Sequence, residues 1–207
     1  MKLVGITQRV EKVGSYRERR DCLDQRWHLV AEKMRWILVP LPNVAPDRAQ
    51  SLVENLRLSA IILSGGNTLA FMNPDAADAA PERDTFEATL IDLAVDKQMP
   101  LLGVCRGMQT INQYFGGELG LIDHHAATRH DLLFRYGQNV LSLNVNSYHD
   151  VAVTKSAADF QILAQHPDGT TEAFKHPARK ITGIMWHPER EAELQPQDRK
   201  LLEEALS

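Results

Sequence analysis

Four short apolar runs recur through the first half of the chain: Lys2–Thr7 (KLVGIT), Trp36–Leu41 (WILVPL), Ala60–Leu63 (AIIL) and Leu101–Val104 (LLGV). Four to six residues without polar alternation is what a strand buried on both faces requires. Stretches with helical spacing lie between them. Residues 22–34 place Leu23, Trp27, Val30 and Met34 on one face, Pro46 opens a segment carrying Leu52, Val53 and Leu56, and Phe86, Leu90 and Leu93 follow a polar loop from residue 67 to about 84. Strand–helix alternation of this kind predicts right-handed crossovers and an α/β fold with a mostly parallel sheet and helices on both faces. The second half changes period. Residues 140–145 alternate apolar and polar, Asp168-Gly169 is a turn signal, and residues 180–186 form another apolar run, so antiparallel strands should extend the sheet before a closing helix at Leu201, Leu202 and Leu206. With 207 residues, 43% of them hydrophobic, and no linker-like segment, one domain over residues 1–207 is expected.

The fourth run leads into Gly103-Val104-Cys105-Arg106-Gly107, followed by Met108, Ile111 and Phe115 at helical spacing. A residue at a strand-to-helix corner is held in a strained conformation, and flanking glycines let the chains pack closely enough to present its side chain. The same corner puts Cys105 at a helix N-terminus, where unpaired N–H groups favour a thiolate. The opposing reading, a buried cysteine packed as a small hydrophobe, has similar weight for the five-residue pattern alone. Cys22, in the charged stretch RRDCLDQR, lacks such a corner and is expected to be inert.

A sulfur nucleophile attacking a carbonyl needs a base and an anion-binding pocket. His187, directly after the run ending in Trp186, would stand at the exposed end of a strand, and Glu189 two positions on could orient its imidazole. Donors for an oxyanion could come from Ser64-Gly65-Gly66, where glycines let amides approach a substrate oxygen, and from the backbone N–H of Arg106. Each of these is also an ordinary turn when taken singly.

Charge restricts the partners. The net charge is -4, yet residues 2–36 hold nine Lys/Arg against five Asp/Glu. Gln8, Arg9, Arg17, Arg19 and Arg20 follow the first strand, beyond whose carboxyl end ligands of open α/β sheets bind, and guanidinium forks suit a phosphorylated group. The competing reading makes these arginines a solvated face shared with Glu11, Glu18 and Asp21. The segment is too short and mixed in sign for nucleic acid. Two distant cysteines, a start without a signal-type stretch and the lack of an apolar run of about 18 residues suggest a cytoplasmic protein that does not enter a membrane. His124, His125 and His130 match no zinc-site spacing, so substrate contact or a surface loop is expected there, with neither metal nor cofactor.

Four motifs in order, LSGG at 63–66, GVCRGMQ at 103–109, VNSYH at 145–149 and GIMWHPE at 183–189, resemble the class I glutamine amidotransferases and their γ-glutamyl hydrolase relatives over essentially the whole chain. That resemblance implies a flavodoxin-like sheet and a Cys105–His187–Glu189 triad cleaving a γ-glutamyl amide through a thioester. It also implies an oxyanion hole at Gly66 and Arg106, with Gly65, Gln109, Ser147, Tyr148 and His149 around the glutamyl part. Within the family, Cys-Arg-Gly and VNSYH resemble the stand-alone γ-glutamyl hydrolases, and the short form and the opening GITQRV with YRERRDCLDQRW are more similar to the capsule-biosynthesis hydrolases of N5-(cytidine 5'-diphosphoramidyl)-L-glutamine. This implies a small γ-glutamyl conjugate as partner, with the phosphorylated leaving group near Gln8, Arg9, Arg19 and Arg20, and allows for a homodimer. The alternatives are a γ-glutamyl-GABA-type hydrolase, from whose pattern Asp150, Val151 and Met185 depart, and a glutaminase subunit delivering ammonia to a synthase.

Overall fold

The computed structural model describes residues 1–136 and 139–207. The chain begins with β1 (Lys2–Thr7) and a hairpin of β2 (Arg9–Val13) and β3 (Glu18–Cys22), then α1 (Arg26–Met34), β4 (Trp36–Leu41), α2 (Pro46–Asn55), β5 (Ala60–Leu63), α3 (Pro81–Asp96), β6 (Leu101–Val104) and α4 (Arg106–Tyr114). The second half supplies β7 (Glu118–Leu121), β8 (Thr128–Tyr136), β9 (Asn139–Ser147), β10 (Val151–Lys155), β11 (Gln161–Gln165), β12 (Thr171–Lys175), β13 (Ile181–Ile184) and α5 (Pro196–Ala205).

The main sheet runs β4-β1-β5-β6-β13-β12-β11-β8-β9, with β10 bridging β12 and β7. Its first five strands are parallel, and from β12 onward the neighbours are antiparallel. Strand β5 shows why these runs read as uninterrupted apolar sequence. Ala60 and Ile62 join the core on one face with Trp27 and Trp186, while Ile61 and Leu63 join the other with Phe86 and Met108. All four residues of β5 are fully buried, so neither face tolerates a polar residue. Proline opens α2, α3 and α5 in the first turn, where its missing N–H costs nothing.

One expectation changes. The helix expected over 22–34 starts later: Cys22 ends a strand, Glu18–Cys22, that pairs with Arg9–Val13 as an antiparallel hairpin, and the helix begins at Arg26. The hairpin is pinned by side chains, since Asn67 accepts from the Val10 N–H at 2.8 Å and donates to the Val10 carbonyl at 2.9 Å, and Asp21 binds Asn43. Exposed charged residues make up nearly all of β3, which removes the apolar alternation by which a strand is recognised. Among the described residues, no helix is long and apolar enough to cross a membrane.

Candidate active site

Register fixes the site. Leu63 of β5 pairs with Gly103 of β6, and Val104 of β6 with Ile184 of β13, so the Ser64 turn, Cys105 and the Met185–His187 segment leave adjacent parallel strands at one edge. That carboxyl edge is where open α/β sheets bind ligands.

Cys105 adopts φ 52°, ψ −109°, a left-handed conformation that costs a non-glycine residue about 1–3 kcal/mol. Packing enforces it. A Cβ on Gly107 would lie 2.1 Å from the Leu63 carbonyl oxygen, one on Gly103 would lie 2.5 Å from the Gly107 carbonyl carbon, and the Cys105 N–H is held by the Ile184 carbonyl at 2.8 Å. The glycines are needed for close approach, and the strain sits on the cysteine itself.

His187 and Glu189 are both buried, and His187 Nδ1 lies 2.7 Å from Glu189 Oε1. Nε2 has no nitrogen or oxygen partner and is left to the Cys105 sulfur. Gly65 marks the junction: a Cβ there would sit 2.8 Å from His187 Cε1 and 3.5 Å from Cys105 Cβ. Burial pushes the His187 imidazole down, but the Cys105 sulfur and the Glu189 carboxylate outweigh it and raise the pKa to about 9. The ring is therefore an imidazolium at neutral pH, with Glu189 fixing Nδ1–H and the opposite nitrogen turned to sulfur.

The turn after β5 is shaped by a residue outside every sequence motif. Arg83, fully buried on α3, donates to the carbonyls of Ser64 (2.6 Å), Gly65 (3.2 Å) and Gly66 (2.7 Å). The Ser64 N–H donates to Thr7 Oγ1 at 3.0 Å, so of this turn only the Gly65 and Gly66 amides are candidates for an oxyanion. Arg83 also pairs with Glu87 at 2.9 Å, and Glu87 in turn binds Arg106 and accepts from Thr7 at 2.7 Å. Burial lowers the Arg83 pKa to about 10, still well above neutrality. Both terminal nitrogens of the Arg106 guanidinium are held by Glu87 and Asp84, which leaves its backbone N–H, an N-terminal helix amide, as the donor offered to an oxyanion.

A cavity of about 330 Å³ opens beside these groups, lined by Ser64, Gly65, Gly66, His187 and Glu189 on the sheet side. Arg9, Glu11, Cys22, Asp24 and Trp27 from the hairpin and α1, together with Arg190, complete the wall. Arg9 folds over Gly66, its Cδ 3.3 Å from where a Cβ would be, and pairs with Glu11 at 3.1 Å. Tyr148 stands edge-on to His187 at 5.8 Å, and the Arg190 guanidinium lies 4.4 Å from the centre of its ring. The larger cavity, about 670 Å³ between β8, β9, β11 and α5, contains none of the candidate residues.

Not every expected contact converges here. Arg19 binds Glu82 and Arg20 binds Glu18 on the outer part of the hairpin, away from the cavity, because β3 turns these side chains toward nearby carboxylates. Gln8 donates to the Leu41 carbonyl at 3.1 Å. Gln109 donates to the Val151 carbonyl at 2.8 Å, His149 Nδ1 meets the same oxygen at 3.1 Å, and Ser147 donates to the His125 carbonyl. All three hold backbone in place. Cys22 lines the cavity, but burial and Glu11 push its thiol pKa up, away from the thiolate. Asn146, within the VNSYH motif but not singled out, clamps His187: its Oδ1 accepts the His187 N–H at 3.0 Å and its Nδ2 donates to the His187 carbonyl at 2.8 Å.

A strained cysteine elbow facing a His–Glu pair at the carboxyl edge of a parallel sheet defines a cysteine hydrolase of the class I glutamine amidotransferase type. The chain belongs to the Peptidase C26 family, whose model matches residues 2–189. It is 36% identical over 189 residues to the gamma-glutamyl-CDP-amidate hydrolase of Campylobacter jejuni, covering 91% of this chain and 90% of that protein. It is 29% identical to the gamma-glutamyl-gamma-aminobutyrate hydrolase of Escherichia coli O157:H7, over 73% and 72% of the two chains. A glutamine amidotransferase from Thermotoga maritima shares the fold with a TM-score of 0.66 and 15% identity, over 91% of this chain and 76% of that one.

Proposed function

We propose that the protein hydrolyses the γ-glutamyl amide of N5-(cytidine 5'-diphosphoramidyl)-L-glutamine, releasing glutamate and cytidine diphosphoramidate. The observation that carries the reading is the meeting of Cys105, His187 and the glycine turn at one point, where Gly65 is the only residue type that fits. The Cys105 sulfur attacks the γ-carbonyl, and the developing oxyanion is received by the amides of Gly66 and Arg106. His187 gives its proton to the leaving nitrogen as the C–N bond breaks, leaving a γ-glutamyl thioester. It then takes a proton from water, which attacks the thioester and frees glutamate and Cys105. Glu189 keeps the imidazole in the tautomer that both steps use.

The choice of leaving group is supported by the relative's activity across nine-tenths of both chains and by the cavity wall itself. Arg9 and Arg190 line the same cavity as His187 and could receive a diphosphate attached to the departing nitrogen. Residues 1–207 act as one domain in this reading. Glutamate release from the cytidine diphosphoramidyl conjugate, from γ-glutamyl-GABA and from glutamine tests it. A kcat/KM at least tenfold higher for the first, about 1.4 kcal/mol of transition-state discrimination, is expected. Equal or greater activity on either of the others contradicts it.

A further inference from the structure

Away from Cys105, four segments bring three histidines and one carboxylate together: His125 precedes β8, His130 lies on β8, His149 follows β9 and Glu172 is on β12. One ligand atom from each lies within 4.8 Å of the others, and all four side chains are more than nine-tenths buried. Glu172 is the hub. His125 Nδ1 stands 3.6 Å and His149 Nε2 3.4 Å from its Oε1, and His130 Nε2 stands 3.5 Å from its Oε2. These separations are longer than an ordinary hydrogen bond, and among the described residues both carboxylate oxygens and the three facing ring nitrogens have no hydrogen-bond partner.

The opposite nitrogens explain what is facing inward. His149 Nδ1 meets the Val151 carbonyl at 3.1 Å, which can only accept, so that nitrogen carries the proton and Nε2 presents a lone pair. His125 Nε2 lies 3.0 Å from Asp168 Oδ2, which fixes its proton there and leaves Nδ1 as the second lone pair. Lone pairs aimed at a carboxylate in a dry interior repel unless a positive charge lies between them, either the proton of an imidazolium, which the neighbouring carboxylates favour at His125, or a metal ion. The spacing suits the ion. Ligand atoms on a tetrahedral ion with bonds of about 2.0–2.1 Å are about 3.3–3.4 Å apart, close to the 3.4–3.6 Å found here and longer than a hydrogen bond. The Asp168–His125 contact is then the outer carboxylate that commonly orients a metal-bound imidazole.

We propose that His125, His130, His149 and Glu172 bind one divalent transition-metal ion, zinc by donor chemistry, as a closed structural site. Four protein ligands leave no open position for substrate. The ion would bind the loop before β8 and the turn after β9 to β12, whose Glu172 carbonyl accepts the Met185 N–H at 2.8 Å two residues before His187. It therefore fixes from behind the strand end that carries Asn146 and Tyr148, independently of which conjugate is hydrolysed.

Metal analysis of the full chain purified without chelator tests this. About one zinc per chain is expected in wild type and in His124→Ala, whose exposed side chain lies outside the cluster, with at least a tenfold loss in Glu172→Gln and His130→Ala. Because those variants can fail to fold, metal-stripped wild type is also titrated with Zn²⁺ and Co²⁺. The expected results are a rise in Tm with zinc and visible bands of tetrahedral cobalt that zinc abolishes. Wild type that carries no metal, gains no Tm from zinc and shows no such bands overturns the proposal, as does Glu172→Gln that is folded and retains full zinc.

Discussion

Asn146 satisfies both backbone hydrogen-bonding groups of His187, accepting from its N–H at 3.0 Å and donating to its carbonyl at 2.8 Å, across 41 residues of sequence. One amide side chain thus sets the position of the imidazole that faces Cys105, and its own carboxyl-side neighbours on β9 are held in turn by Ser147 on the His125 carbonyl.

Replacing Asn146 with Ala leaves a buried donor and a buried acceptor unpaired, at about 1–3 kcal/mol each. Part of that cost is relieved by movement of His187. The expected outcome is a fall in kcat of at least tenfold with a much smaller change in KM, since Asn146 binds His187 and Glu191 rather than the Arg9, Gly66 and Arg190 parts of the cavity wall, which stay in place. Asn146→Asp keeps the acceptor but turns a carboxylate oxygen onto the His187 carbonyl and Glu191, so it should retain no more activity than Asn146→Ala. Steady-state kinetics of both variants checks the order.

The raised His187 pKa follows from the Cys105 sulfur and the Glu189 carboxylate acting against burial. Ring titration followed by NMR should show His187 protonated through neutral pH with a midpoint near 9. Cys105→Ala removes the sulfur and leaves burial opposed by Glu189 alone, so the midpoint should move down. An unchanged midpoint in that variant would mean that the sulfur and the imidazole do not interact.

Asp198 on α5 accepts from the Trp186 indole N–H at 2.9 Å, yet burial raises its carboxyl to about 6. A carboxyl whose folded value lies above its unfolded value contributes stability that is fully present below about 3.9 and is lost as pH rises through 6. At pH 8 the charged form therefore opposes folding by roughly 2–3 kcal/mol. Asp198→Asn keeps an acceptor for Trp186 without the charge. Urea unfolding should find it more stable than wild type at pH 8 and little different at pH 4.

Much of this architecture is legible in the residues because its causes are local. Ala60–Leu63 reads as a strand since all four positions are buried, and Gly103 and Gly107 announce the elbow since backbone lies where their side chains would be. His187 and Glu189 are two positions apart, which makes their pairing visible. Arg83 was not visible: it acts on Ser64–Gly66 by reaching back from the next helix, and a lone Arg among charged residues carries no mark of burial. The hairpin is hidden by the polarity of Glu18–Cys22, which is why the start of α1 reads four residues early and why the pairing of Arg19 with Glu82 and Arg20 with Glu18 is not legible along the chain. The histidine cluster was hidden for a third reason, since His125, His130, His149 and Glu172 come from four separate segments and show no ligand spacing along the chain.

The most direct measurement of the central claim is mass spectrometry of the enzyme acid-quenched during turnover, with the peptide containing Cys105 sequenced. One γ-glutamyl group attached to Cys105 in wild type, no adduct and no turnover in a folded Cys105→Ala, is the result the account predicts. Turnover that survives in Cys105→Ala, or an adduct on Cys22 instead, would contradict it.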